Sequence, residues 1–88
     1  MAFTGMNIEE VRQTAAELKN ISDQIEGLMR QLDGRVQGTT WTGPDADMFK
    51  NDWWPRHRTS LQNIANELEG LSQSANNNAN EQEQVSSR

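Results

Sequence analysis

The chain has 88 residues, 13 acidic against 8 basic side chains, a formal net charge of −5 and no cysteine. Disulfides are thereby excluded, and zinc ligation has only His57 to draw on. An acidic pI near 4.7 argues against nucleic-acid binding, which needs a basic footprint on the phosphates.

A single core in a chain this short is marginal, and without disulfides or metal the missing burial points to a partner subunit. No apolar run approaches the roughly 20 residues of a membrane span. The opening MAFTGMNIEEVRQ has no basic segment followed by an apolar one, so a secretory signal peptide is not expected. The mean hydropathy of −0.92 would suit a disordered chain, but the apolar residues are strictly patterned as far as Ala75.

Residues 1–6 read as an N-terminal arm, followed by a first helix over 7–38. Ile8, Val11, Ala15, Leu18, Ser22, Ile25, Met29, Leu32 and Val36 fall at alternating spacings of three and four. Only Ser22 interrupts the apolar series, and Ile21 and Leu28 widen the stripe. Asn7 is a candidate N-cap, with Glu9 and Glu10 at the positive helix end. Arg30 and Arg35 suit the other end, and Gly38 is a candidate for the glycine just past the C-cap.

Residues 39–44 read as a turn. A second helix is expected over 45–79, with Pro44 suited to a first helical position and Asp45 and Asp47 to the first turn. Ala46, Phe49 and Trp53 form one short stripe, whereas Trp54, His57, Leu61, Ile64, Leu68, Leu71 and Ala75 form another. The apolar face thus shifts by one residue, about 100°, across Pro55. Pro55 also lacks the N–H that would bond the Asn51 carbonyl, so a continuous helix kinked near Pro55 is predicted, two separate helices being the alternative. Residues 80–88 lose their large apolar side chains, apart from Val85, and read as a flexible tail.

The fold class expected is all-α: an antiparallel two-helix hairpin that pairs into a four-helix bundle as a dimer. One hairpin shields only part of each broad stripe, and burying a large aliphatic side chain stabilises by about 1.5–3 kcal/mol. The expected hairpin and dimer interface comprises Ile8, Val11, Ala15, Leu18, Ile25, Met29, Leu32, Val36, Phe49, Trp53, Trp54, Leu61, Ile64, Leu68 and Leu71.

No catalytic, cofactor-binding or metal site emerges. His57 lies between Arg56 and Arg58 with no nucleophile to serve. Asp45, Asp47 and Asp52 lack the spacing of a calcium loop and read as helix-start charges. Lys50, Arg56, His57 and Arg58 make a local basic cluster, either a solvated face or a dock for an acidic surface. Gly27 and Gly34 lie opposite the apolar stripe and would admit close approach on the outer face.

Trp41-Thr42-Gly43, at the bend between two amphipathic helices in a chain of this length, resembles the motif of the WXG family. These are the small ESAT-6-like proteins of type VII (ESX) secretion, and the resemblance covers residues 5–80. The aromatic run Phe49, Trp53, Trp54 is also similar to members of the family. The resemblance implies a helical hairpin, pairing with itself or a second WXG protein, no enzymatic activity, and no cofactor. It further implies export of the folded dimer by a signal-peptide-independent route, powered by an FtsK/SpoIIIE-type ATPase, with Trp41, Thr42 and Gly43 as the secretion and turn motif. Many members carry a Tyr-x-x-x-Asp/Glu export signal after helix two, and this chain has no tyrosine. A heterodimer partner that supplies the signal is therefore favoured over a different determinant in the stretch Glu81–Val85. A membrane-active effector with inserting helices is the alternative function, opposed by the acidic charge and mixed polar faces. An intracellular bundle that is never exported is the third reading.

Overall fold

A computed structural model describes residues 5–86. Helix α1 runs over Ile8–Gly38. Helix α2, Pro44–Met48, passes directly into a π-helical turn, Phe49–Trp53, and then into α3, Trp54–Ser86. These last three form one uninterrupted helical rod that folds back along α1, in a molecule measuring 68 × 16 × 14 Å. Its two short dimensions are barely more than one helix diameter. The chain is a hairpin without a second layer.

The start of α1 follows from its cap. The Asn7 side chain accepts a hydrogen bond from the Glu10 N–H at 3.1 Å, and Glu9 and Glu10 occupy the first turn. The end of α1 falls at residue 38 as expected, but the cap differs. Gly38 is the last helical residue rather than a left-handed residue beyond the helix. Thr39 ends the helix instead with extended backbone, its hydroxyl donating to the Arg35 carbonyl at 2.6 Å. A side-chain donor replaces the glycine cap.

The second rod starts at Pro44, inside the expected turn, because proline is preorganised for a first helical position. It runs to Ser86 rather than to residue 79, which corrects the expected flexible tail at 80–88 for the described residues. Contacts at its base and along it help to hold that extension. Ala79 is fully buried, and Arg12 donates to both Asn80, at 2.9 Å, and Glu83. The polar sequence concealed them, since neither contact depends on a large apolar side chain. Most of the expected N-terminal arm, residues 1–4, and the last two tail residues lie outside the described ones.

The π-turn accounts for the face shift across Pro55. The Trp54 N–H bonds the carbonyl of Phe49, five residues back. A π-turn accommodates one residue more than an α-turn, so everything before it lags by about one residue, or about 100°. Ala46 and Trp54 are thereby brought into phase on one face, and both are buried.

The seam between the rods is built from small side chains. On α1 the buried residues are Ala15, Ser22, Met29 and Val36, and on α3 they include Trp54, Ala65, Ser72 and Ala79. Ser22 donates to the Ala65 carbonyl at 2.7 Å, and Ser72 to the Ala15 carbonyl at 2.6 Å. Each hydroxyl therefore bridges to the backbone of the opposite helix. A serine side chain reaches only two atoms beyond its Cα, so the two backbones lie close together. Ser22, the one residue that broke the apolar series, is fully buried at one of these two close contacts.

Candidate functional site

Two features remain open to a partner: the Trp-Thr-Gly turn and one face of the hairpin. At the turn, Gly43 adopts φ 116°, ψ 173°, a combination that only glycine takes without strain. Its carbonyl accepts the Asp47 N–H at 3.0 Å and so starts α2. Lys50 reaches back to the Thr39 carbonyl at 2.8 Å and ties the π-turn to the end of α1. Trp41 leans on Phe49, with ring centroids 5.5 Å apart at 52°. Phe49 meets Trp53 edge-on at 6.4 Å and 73°. Both distances suit attractive tilted ring pairs. Trp41 and Thr42 are nonetheless exposed, Trp41 by 43 %. The motif is an anchored indole with much of its surface turned to solvent.

The long apolar face follows from helix periodicity. Each α-residue advances about 100°. Measured from Ser22, which faces α3, Leu18, Ile25, Leu32, Ile21 and Leu28 lie successively further round one side of α1. Measured from Ala65, which faces α1, Leu61, Leu68, Ile64 and Leu71 do the same on α3. In antiparallel helices, displacement in the same sequence sense on both leads to the same side of the pair. Their exposures confirm the order. Leu18, Ile25, Leu61 and Leu68 are half-buried, whereas Leu28, Ile64 and Leu71 are 64 %, 46 % and 56 % exposed.

The opposite edge of the seam is polar and closed. Lys19 lies 3.7 Å from Glu69, and Gln62 donates to Glu26 at 3.2 Å. Asp33 accepts from the Trp54 indole at 2.8 Å and from Arg58 at 3.3 Å. Lys19 also pairs with Asp23 at 2.9 Å, and that hydrogen bond holds its ammonium above the usual lysine pKa.

The expected interface residues therefore divide. Ala15, Met29, Val36 and Trp54 are buried in the seam within one chain. Ile8, Val11, Leu18, Ile25, Phe49, Leu61 and Leu68 are half-buried along it. Leu32, Trp53, Ile64 and Leu71 are exposed. Ser22, Asp33, Ala65, Ser72 and Ala79 were missed by a search for large apolar side chains. Ala65, Ser72 and Ala79 carried a signal, a heptad of small residues, whereas Asp33 carried none. The basic cluster disperses into separate contacts: Lys50 with Thr39, Arg56 with Asp52, and Arg58 with Asp33, while His57 is exposed. Nothing stands within 4 Å of where a Cβ would sit at Gly27 or Gly34.

Among the described residues no helix is long and apolar enough to cross a membrane, and no group of three or more His, Cys, Asp or Glu converges as a metal site. The architecture is that of a small all-helical hairpin with a Trp-X-Gly bend. Residues 4–86 match the family model WXG100, proteins of 100 residues with WXG, and the chain belongs to that family. Membership makes it a small secreted protein of the type VII substrate-like kind, in a family that in general pairs with WXG partners and is non-enzymatic. No curated protein and no solved structure gave a match.

Proposed function

We propose that the chain is a type VII (ESX) secretion substrate and export adaptor that travels as a folded dimer, with Trp41, Thr42 and Gly43 as one half of its recognition signal. The observation that carries this reading is the turn itself. Gly43, Lys50 and Phe49 fix its geometry, yet Trp41 keeps much of its indole exposed. An indole that served only as a hairpin plug would gain by full burial.

The partner is a second Trp-X-Gly hairpin. Seam residues such as Ala15, Ala65 and Ala79 bury little surface, and the larger aliphatics are left on one open face. A second hairpin covers that face and closes a four-helix bundle. Because this chain has no tyrosine, the partner is a different chain that brings the Tyr-x-x-x-Asp/Glu signal, and an FtsK/SpoIIIE-type ATPase reads the composite. Export follows without a cleaved signal peptide.

Replacing Trp41 by Ala tests the reading. Export into culture supernatant of the native host is expected to fall sharply, while helicity and dimer mass of the purified protein stay near wild type. Equal export of variant and wild type would overturn the recognition role.

A further inference from the structure

Phe49 and Trp53 are the first and last residues of the π-turn, and their position matters for the face beyond Pro55. If residues 44–65 formed an unbroken α-helix, Ala46 would lie about 100° away from the seam and Phe49 about 160° from it, on the outer surface. The π-turn changes both placements. Ala46 is 1 % exposed, in the seam. Phe49 is half-buried between Trp41 and Trp53. Trp53, 44 % exposed, lies about 100° round from the seam, in the same sense as Ile64. The aromatic end and the aliphatic face thus become one strip, from Trp41 at the turn to Leu71 far along α3.

From this geometry we infer that the π-turn Phe49–Trp53 is a phase-setting device for partner binding, and that Trp53 is part of the bound surface. The inference rests on the dimeric reading above. The occupant is a second hairpin of comparable length. A strip running along most of a 68 Å rod only about one helix thick matches another such rod and exceeds what a short peptide covers. The edge of closed ion pairs on the other side of the seam, Lys19 with Glu69 and Arg58 with Asp33, leaves this side as the apolar one. Sequence chemistry supports the π-turn at this point. An α-helix through Pro55 leaves the Asn51 carbonyl without its N–H donor, so the α-helical alternative has lost one of its bonds already.

Inserting one alanine after Asn51 adds a residue beyond the one the π-turn absorbs and rotates residues 44–51 by about 100°, taking Phe49 off the strip. Tagged chain is isolated from the native host as its complex, and its dimer mass, with whichever hairpin it binds, is followed by native mass spectrometry over a dilution series. Circular dichroism reports helicity in parallel. The insertion is expected to keep its helicity and to weaken the dimer roughly tenfold or more. Trp53→Ser, which leaves the seam untouched, is expected to weaken it similarly and decides the matter if the insertion loses helicity. Ile64→Glu separates the two levels. If Ile64→Glu dissociates the dimer while the folded insertion and Trp53→Ser bind as wild type, the phase-setting role is overturned and the dimeric reading stands. If Ile64→Glu leaves the dimer intact, the strip is not the bound face and the inference is overturned; if the wild-type chain stays monomeric throughout the dilution series, the dimeric reading itself fails.

Discussion

Ser22 offers the sharpest contrast between an apolar pattern and a packed seam. Completing the apolar series with Ser22→Leu looks stabilising on the pattern alone, because a buried leucine contributes about 1.5–3 kcal/mol. The structure reverses the sign. Ser22 is fully buried, and its hydroxyl lies 2.7 Å from the Ala65 carbonyl of the facing helix. No room exists for a larger side chain unless the rods separate, which would also stretch the Ser72 bond to Ala15. Overpacking of this kind costs about 1–3 kcal/mol. Loss of the hydrogen bond adds about 0.5–1.5 kcal/mol, at the modest end because the Ala65 carbonyl also serves its own helix. Ser22→Leu is therefore expected to destabilise by about 2–4 kcal/mol, and Ser22→Ala by about 1 kcal/mol. For a domain of this size, 1 kcal/mol moves Tm by about 4–8 °C. Thermal unfolding followed by circular dichroism, with all variants at one protein concentration because dimerisation shifts Tm, reads the difference. A Tm for Ser22→Leu equal to or above wild type would refute the close-packed seam.

Other perturbations probe separate parts of the hairpin. Asp33→Ala leaves the buried Trp54 indole N–H without its acceptor and is expected to cost about 1–3 kcal/mol in urea unfolding. Asp33→Asn, which keeps an acceptor oxygen, is expected to cost less. Gly43→Ala forces a side chain onto a backbone conformation only glycine tolerates, so it is expected to destabilise by about 1–3 kcal/mol although nothing crowds the site. A calorimetric Tm unchanged from wild type would contradict that strain. Lys19 has a raised pKa in the folded state because of Asp23, so its contribution is fully present below the ordinary lysine pKa. It is lost as pH rises through the higher folded-state value. The stability gap between wild type and Lys19→Met is expected to be small, to shrink at strongly alkaline pH, and to shrink in high salt, since the pair is exposed.

The amino-acid sequence by itself determined the elements and their junctions. Apolar residues at spacings of three and four specify helices whatever they pack against. Asn7, Pro44 and Gly43 act through local backbone geometry, so the start of α1 and the bend were legible without a tertiary fold. The one-residue jump in apolar phase across Pro55 was legible too, and the π-turn is its physical form. The end of α1 was placed correctly but its cap was misread, because Thr39 closes the helix with a hydroxyl and Gly38 stays helical. The end of the second rod was misread because Arg12, distant in sequence, holds residues that carry no apolar signal of their own. Only the tertiary structure decided which apolar residues face inward. The rods meet through Ala15, Ser22, Ala65 and Ser72, where two backbones approach within the reach of a hydroxyl, and the larger aliphatics are displaced to one side. Hydrophobicity ranks leucine above serine for burial, but a close helix pair selects for size and for a hydrogen bond across the seam, and those are properties of the contact between helices rather than of either helix alone.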